Sequence, residues 1–250
     1  MEAEDAYKTF QQMMEHIPGR LHLLEKPISL EAQSAYFMLS QQIRKSVDKE
    51  KTLASIPDLF DTDADHEHKK TLLLSLASLD EVEAYRAIEK YAEAPDEYLS
   101  EWAAIALNES RMNIEHALLG ESQVFISTGL GGKDQKLRFF MAFFSSSNTG
   151  FSEFQKEIAH KEFEYAMTNN DCEVESFEMQ PLYFTAVVLI PFVVDFRKVI
   201  SSFLSEINQY GNFLREHLLI TNVKIFNEEE IRDFMRKNSV GGAEAEAANA

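Results

Sequence analysis

Residues 137–144 have the sequence Leu-Arg-Phe-Phe-Met-Ala-Phe-Phe, and this stretch is the strongest indicator of the fold. Successive side chains of a strand point to opposite faces of its sheet. The odd-numbered residues would form one face and the even-numbered residues the other, and both faces are almost wholly apolar. The stretch therefore predicts a central strand that is covered on both sides.

The chain around this strand alternates between strand and helix patterns. Further strands are predicted at 124–127, 172–179, 183–192 and 220–226, and helices at 151–168, 195–215 and 228–237. The order β-β-α-β-β-α-β-α predicts an α+β sandwich with a mostly antiparallel sheet. This domain is expected to span 121–238, with a small, polar, disordered tail at 239–250.

The first 120 residues have the apolar spacing of α-helices instead. Helices are predicted at 4–16, 29–47, 66–78, 80–93 and 95–118. Chemical markers set their boundaries: Ser29 and Asp80 are expected N-caps, and Pro95 restarts the chain after a helix. The sequence thus predicts an all-α helical domain at 1–120, ahead of the α+β domain.

Part of this helical domain, residues 66–118, resembles the HEAT-like family of α-helical repeats. The resemblance is carried by an apolar helix, a short acidic turn, a second helix, and then Pro95-Asp96 and Trp102-Ala-Ala-Ile-Ala-Leu107. Glu101 departs from the family pattern, in which a basic residue is commoner at that place. The resemblance implies a stack of helices that presents an extended surface to protein partners.

The charge and cysteine content exclude several classes of protein. Acidic residues outnumber basic ones by 42 to 24, a net charge of −18. This surplus disfavours direct binding to nucleic acid or to an anionic membrane and favours a basic partner. The single cysteine, Cys172, allows no internal disulfide and fits a reducing compartment. The sequence shows no signal peptide and no apolar run long enough to span a bilayer, so a cytoplasmic location is expected.

A glycine-rich loop follows the strand predicted at 124–127. It contains Gly129, Gly131, Gly132 and Lys133, and a strand followed by such a loop is the context of a phosphate-binding loop. The spacing differs from that of a Walker loop, and Asp134 stands where a magnesium-binding hydroxyl is needed. A hairpin turn with positive φ is the favoured interpretation, and an anion-binding loop is the alternative.

The strand that begins at Cys172 contains a possible pair of catalytic carboxylates. Strict alternation places Glu173, Glu175 and Phe177 on one face, with Cys172 and Ser176 on the other. Paired carboxylates can perform acid–base chemistry, but a solvated face of a sheet is the favoured interpretation.

Neither a cofactor nor an essential metal is predicted. The stretch 61–68 resembles the start of a calcium loop, but such a loop needs glycine at position 6 and glutamate at position 12. His66 and Leu72 stand at those positions, and His66 and His68 have no identifiable third ligand for zinc.

Three aromatic residues are candidates for interaction with a partner. Trp102 is expected in the helical core, with a contact anchor as the alternative. Phe140 and Phe144 lie on the second face of the central strand, and that face needs a cover. The helical domain or a second copy of the chain is the expected cover, and the helix at 228–237 is the rival.

These observations favour a cytoplasmic protein-binding or adaptor protein that uses an acidic helical surface and an apolar sheet face. The partner would be another protein or a second copy of the chain. Because no catalytic motif is present, the sequence leans against an enzyme. Two alternatives stay open: an α+β domain that binds or converts a small ligand at the glycine-rich loop and the Glu173/Glu175 face, and a ribosome-associated factor that contacts basic proteins.

Overall fold

The structure is a computed structural model that describes residues 20–119, 123–147 and 149–247. It confirms the predicted α+β class and the mostly antiparallel sheet. The chain divides into two compact units, with the division after Gln135. The helix predicted at 4–16 lies outside the described residues.

The first unit is built mainly of helices: α1 (Leu30–Ile43), α2 (Lys49–Ala54), α3 (His66–Ala77), α4 (Val82–Glu93) and α5 (Ser100–Leu119). Short 3-10 helices at Ile56–Leu59 and Glu97–Leu99 lead into α3 and α5. The predicted cap at Ser29 is present, because its Oγ accepts a hydrogen bond from the Ala32 amide at 3.2 Å. Helix α4 begins two residues after the predicted cap Asp80, and Glu81 occupies the capping position without a side-chain hydrogen bond.

The core of this unit lies between α1, α3, α4 and α5. Trp102 is 6% exposed, and its ring lies 5.3 Å from that of Tyr36. Glu101 joins two helices, since its carboxylate accepts hydrogen bonds from the Ser29 amide at 2.7 Å and from the Ser29 hydroxyl at 2.8 Å. The acidic residue that departs from the repeat pattern thus holds the start of α1 against the start of α5.

A two-stranded parallel sheet adds to the helices of the first unit. Strand β1 (Arg20–Leu23) pairs with β2 (Gln123–Ile126), and Leu21 lies opposite Val124. The sequence predicts β2 but not β1. Because β2 pairs with a strand near the start of the chain, the first unit extends fifteen residues beyond the predicted boundary at 120.

The second unit consists of a sheet with helices packed on it. Its elements are β4 (Lys136–Phe144), α6 (Glu153–Thr168), β5 (Glu173–Met179), β6 (Tyr183–Pro191), α7 (Phe196–Asn208), β7 (Leu219–Thr221) and α8 (Glu228–Ala247). A two-residue strand, β3 (Gly132–Lys133), precedes them in the chain. The strand order is β7-β4-β6-β5, and all of these pairs are antiparallel. From β4 to β7 this is the β-α-β-β-α-β arrangement of ferredoxin-like domains.

One face of this sheet packs against α6 and α7 through phenylalanine rings. The Phe143 ring lies 4.7 Å from Phe184, 5.5 Å from Phe203 on α7 and 5.6 Å from Phe163 on α6. All four side chains are at least 99% buried. The apolar stretch of β4 therefore lies at the centre of this core.

The other face of β4 is covered by the C-terminal part of the same unit. Phe140 stacks on Phe226 at 6.1 Å, and Phe144 stacks on Phe234 of α8 at 5.5 Å. Both β4 phenylalanines are buried. The C-terminal helix, which the sequence offers as the rival cover, thus contributes to covering this face.

A β-bulge in β5 changes the faces predicted for that strand. Val174 pairs with Val188 and Ser176 with Val187, so Glu175 is the extra residue. The shift turns Phe177 into the core, where its ring lies 5.0 Å from Phe184, and leaves Ser176 exposed. The prediction that strict alternation places Ser176 inward and Phe177 outward is wrong, because a bulge inserts one residue into the two-residue period.

Candidate functional site

The first unit contains a cavity of about 340 Å³ between α5 and two loops. Its lining residues come from the end of β1 and the loop after it, from α4 and α5, and from the turn before β4. They are Leu23, Leu24, Glu25, Lys26, Ala92, Ala104, Leu107, Asn108, Arg111, Asp134 and Gln135. All of them belong to the first unit.

Helix α5 forms one wall of the cavity with a single helical face. Ala104, Leu107, Asn108 and Arg111 are spaced by three and four residues, so their side chains lie one above another. The face changes from apolar at its N-terminal end to polar at its C-terminal end. Ligand pockets typically combine a mostly apolar lining with a few polar groups that orient the ligand.

Asn108 is the unusual residue of this wall. It is 8% exposed, and its Nδ2 is buried without a hydrogen-bond partner among the described residues. A buried amide donor that stays unpaired costs roughly 1–3 kcal/mol. Folded proteins rarely keep such a group without a reason, such as a bound water or ion or a catalytic role.

The glycine-rich loop packs against the 24–26 segment, which also lines the cavity. Gly131 has a φ of +65°, and a Cβ at this position would lie 2.6–2.8 Å from the carbonyl oxygens of Leu24, Glu25 and Lys26. Only glycine allows the loop to approach the 24–26 segment this closely. The loop is closed by two hydrogen bonds between Thr128 and Gly131, at 3.1 and 3.2 Å. The positive φ predicted for this loop is thus present at Gly131.

Two further residues with positive φ stand at the mouth of the cavity. Asp134 has a φ of +47° and Gln135 a φ of +62°. Two successive residues in this conformation are typical of a type I′ turn, in which asparagine and glycine are the usual residues. The turn brings the Asp134 and Gln135 side chains into the cavity lining.

The charged residues of the lining are of both signs. Lys26 and Arg111 are cationic, whereas Glu25 and Asp134 are anionic, and all four are exposed at the rim. The deeper lining is formed by Leu24, Ala104 and other apolar residues. The cavity therefore has an apolar floor and a rim of balanced charge.

The residues that the sequence singled out for ligand binding are divided between the two units. Gly129, Gly131 and Gly132 are buried in the first unit, and Lys133 is exposed just before the two lining residues of the turn. Glu173 and Glu175 belong to β5 of the second unit. There, Nε and Nη2 of the Arg138 guanidinium donate hydrogen bonds to the Glu175 carboxylate, with an Nη2–Oε1 distance of 2.8 Å, and these bonds raise the pKa of Arg138.

The second unit has a larger groove, of about 770 Å³, between α7 and the segment 209–220. Apolar residues such as Phe196, Ile200 and Leu204 line it, with Arg197 and Glu216 among its polar residues. The side-chain amide of Asn208 shapes one end by exchanging two hydrogen bonds, at 2.9 and 3.0 Å, with the backbone of Leu214.

The strongest pKa shifts lie in the cores rather than at the cavity. The Lys69 ammonium is 2% exposed and lies 2.7 Å from the Asp96 carboxylate, which also accepts a hydrogen bond from Tyr91 at 2.9 Å. The hydrogen bond from Lys69 lowers the pKa of Asp96, whereas burial and the bond to Asp96 raise the pKa of Tyr91 to about 12. Burial likewise raises the pKa of the Cys172 thiol to about 11.

The described residues show neither a metal-binding cluster nor a membrane-spanning helix. No group of three or more histidine, cysteine or acidic residues is arranged to hold a metal ion in 20–119, 123–147 and 149–247. Within the same ranges, no helix combines the length and apolarity needed to cross a bilayer.

Comparison with known proteins adds no functional information. No protein-family model matches the sequence, and no curated protein is significantly similar to it. Among solved structures, a REP-associated tyrosine transposase bound to a REP hairpin is 9% identical, with a TM-score of 0.32. The match covers 40% of this chain and 63% of that chain. A likeness at this level carries no argument about fold or function.

The sequence does not predict the cavity itself, but α5 carries a signal that points to it. Asn108 continues the apolar run Trp102–Leu107 on the buried side of the helix. An amide at such a position needs a partner, so it marks either a buried hydrogen bond or a binding site.

Proposed function

We propose that this protein binds a small molecule in the cavity of the first unit. The observation that carries the proposal is the cavity wall formed by α5, which changes from apolar at Ala104 and Leu107 to polar at Asn108 and Arg111. A ligand with a hydrogen-bond acceptor would pair with the polar end of this wall and would also fill the space between α5 and the 24–26 segment. Burial of the ligand's apolar surface on Leu24 and Leu107 would provide most of the binding free energy.

The size of the cavity limits the ligand to a small metabolite. Ligand pockets usually have volumes of about 300–1,000 Å³, and this cavity lies at the lower end of that range. A dinucleotide or a large cofactor is too big for it. The proposed activity is binding, because none of the described lining residues forms a nucleophile–base pair.

The proposal can be tested by a thermal-shift screen of the full chain against a metabolite library. A ligand at 100 times its Kd stabilises the folded state by about 2.7 kcal/mol, which is readily measured. In the variant Ala104→Leu, the larger side chain occupies the cavity, so the stabilisation by every true ligand should disappear.

Ala35→Leu is the matched control, because it makes the same chemical change on the exposed side of α1. It should leave the ligand-induced shifts unchanged. The proposal fails if no compound stabilises the protein, or if the compounds that do so stabilise the Ala104→Leu variant equally well.

A second candidate function, binding of a basic protein, is favoured by an acidic patch on the first unit. The patch consists of Asp61, Asp63, Asp65 and the neighbouring Tyr98, whose side chain is 79% exposed and whose ring lies 5.8 Å from His66. Acidic residues steer a basic partner into place, and an exposed tyrosine is a frequent anchor in protein interfaces.

This second function predicts a salt-sensitive complex that depends on the patch. Conversion of the three aspartates of the patch to asparagine in the full chain should abolish the capture of basic proteins at low salt. The control converts Glu153, Glu157 and Glu164, all exposed on α6, to glutamine. Equal loss in both triple variants would show that net charge alone, and not the patch, attracts the partner.

A further inference from the structure

We propose that the exposed face of α1 is a homodimer interface, on which a second copy of this chain packs its own α1 in the antiparallel direction. This interface is independent of the proposed ligand. Three properties of α1 support it: the apolar side chains on its outer face, the positions of two charged residues on that face, and the geometry of antiparallel helices.

Large apolar side chains lie on the outer face of α1, away from the core. Met38 is 64% exposed, Leu30 is 48% exposed and Phe37 is 41% exposed. Tyr36 and Ser40 of the same helix are buried on the opposite side. Exposed apolar side chains that cluster on one helical face are typical of a contact surface for another protein.

Two charged residues lie at the ends of this face. Glu31, Met38 and Lys45 are spaced by seven residues, so they follow one line along the outer side of the helix. Arg44 keeps helical φ and ψ values at the C-cap, so Lys45 continues the path of α1. The Glu31 and Lys45 side chains are exposed, and neither forms a hydrogen bond or an ion pair within the described part of the chain.

This line of residues is complementary to itself when its direction is reversed. Met38 is the midpoint, and Glu31 and Lys45 each lie about 10.5 Å from it along the helix axis, at about 1.5 Å per residue. In a two-fold symmetric antiparallel pair, Met38 therefore faces Met38 of the second copy, and each Glu31 faces the other copy's Lys45. A parallel pair would bring each charge against its own kind, so the charges select the antiparallel direction.

A shallow crossing angle keeps these contacts together along the helix. Helices with a seven-residue seam typically cross at about 20°, with their axes about 8–10 Å apart. At this angle the ends of the two lines are displaced by only about 4 Å, which the side chains of Glu31 and Lys45 can span. Phe37 lies beside Met38 and would enlarge the apolar centre of the interface.

The net charge of the chain makes such local complementarity necessary. Each copy carries a net charge of −18, so two copies repel each other on average. One helical face is also smaller than the roughly 800 Å² per partner of a standard interface. We therefore expect a weak dimer with a micromolar Kd.

The interface can be tested by sedimentation velocity of the full chain at about 5–500 μM, a range suited to a weak interface. The dimer fraction of the wild type should rise with concentration. Glu31→Lys or Lys45→Glu should each raise the dimer Kd by ~10-fold or more, because like charges then face each other at both ends. Glu83→Lys, the same change in the first turn of α4, is the matched control and should alter the Kd by less than ~2-fold.

An equimolar mixture of the two charge variants tests the antiparallel direction. One variant has lysine at both ends of the line and the other has glutamate at both ends, so every facing pair in a mixed dimer is of opposite charge. With one variant fluorescently labelled, the mixture should form a dimer of about wild-type affinity. Each variant alone should remain largely monomeric at the same concentration.

Cysteine cross-linking tests the centre of the interface. Met38→Cys should give a disulfide-linked dimer on mild oxidation, because the two-fold axis brings the two copies of this residue together. Leu30→Cys on the same face is the matched control: its two copies would lie about 24 Å apart, well beyond the roughly 7 Å between Cα atoms that a disulfide can bridge. Cys172, the native cysteine, is buried, so it should contribute little cross-linking of its own.

Restored affinity in the mixture, together with cross-linking at position 38 alone, would support the interface. A chain that stays monomeric at the highest concentration, as it would if another segment of the same chain covered this face, would overturn it. A dimer that neither charge reversal weakens would overturn it as well, and so would equally fast cross-linking of Leu30→Cys and Met38→Cys. Because neither measurement involves a ligand, such a failure would leave the proposed binding function untouched.

Discussion

Replacement of Gly131 by alanine should strongly destabilise the first unit. The new Cβ would lie 2.6–2.8 Å from three backbone carbonyl oxygens, and backbone cannot move aside as a flexible side chain can. A left-handed conformation costs alanine about 1–2 kcal/mol, and overpacking typically costs about 1–3 kcal/mol more. The free energy of unfolding should therefore fall by about 2–5 kcal/mol.

Urea denaturation followed by tryptophan fluorescence measures this change in the first unit alone. Trp102 is the only tryptophan of the chain, and it lies in the core of that unit. With a urea dependence of about 2 kcal/mol per molar, the expected loss lowers the midpoint by roughly 1–2.5 M.

Two further variants separate the steric effect from the backbone effect. Gly131→Asn relieves much of the conformational cost but adds the same Cβ, so it should be nearly as harmful as alanine. Gly211→Ala adds a methyl group at a φ of +127° where nothing lies within 4 Å, and it should leave the Trp102 transition unchanged. A midpoint for Gly131→Ala within about 0.3 M of wild type (roughly 0.6 kcal/mol at that slope) would refute the close approach of the loop to the 24–26 segment, and so would full rescue by asparagine.

The other predictions concern the interior of each unit. Asp96→Ala should lower the free energy of unfolding by about 3–5 kcal/mol, because it leaves the buried Lys69 ammonium unpaired. Lys69→Met should lower it much less, and equal losses in urea titrations would contradict this expectation. The pKa of Tyr91 is raised from 10.0 to about 12, so its contribution to the free energy of unfolding is complete below pH 10 and is lost as the pH rises to 12. Plots of stability against pH should therefore be flatter over that interval for Tyr91→Phe than for the wild type. Phe177→Ala should lower the thermal midpoint of the second unit markedly while Ser176→Ala leaves it unchanged, and the reverse order would contradict the bulge in β5.

The sheet of the second unit could be predicted because its strands have distinct local patterns. The apolar run of β4 requires cover on both faces, and the helical stripes of α6 and α7 supply one cover. The order of these elements along the chain matches the predicted order. Which segment covers Phe140 and Phe144 depends on tertiary packing, so the sequence left several candidates open.

The features that the sequence did not predict depend on contacts between distant residues. Strand β1 has only four residues, and its partner β2 lies about 100 positions further along the chain. The bulge in β5 shows itself only in the pairing of Val174 and Ser176 with neighbouring residues of β6. No local pattern marks such an insertion, because each half of the strand alternates correctly by itself.

The candidate site was predictable in part. The glycine-rich loop was identified from its composition, but its neighbours, the carbonyl groups of Leu24–Lys26, come from a segment without any motif. Asn108 was visible as an amide after an apolar run, yet the lack of a partner for its Nδ2 is a property of the folded unit.

The most direct test of the central claim is to map a bound ligand by amide chemical shifts in the full, isotope-labelled chain. A compound that stabilises the wild type but not Ala104→Leu should shift the amide signals of residues 24–26, 104–111 and 134–135 together. Saturable shifts confined to the groove along α7, with the signals of the first unit unmoved, would contradict the account.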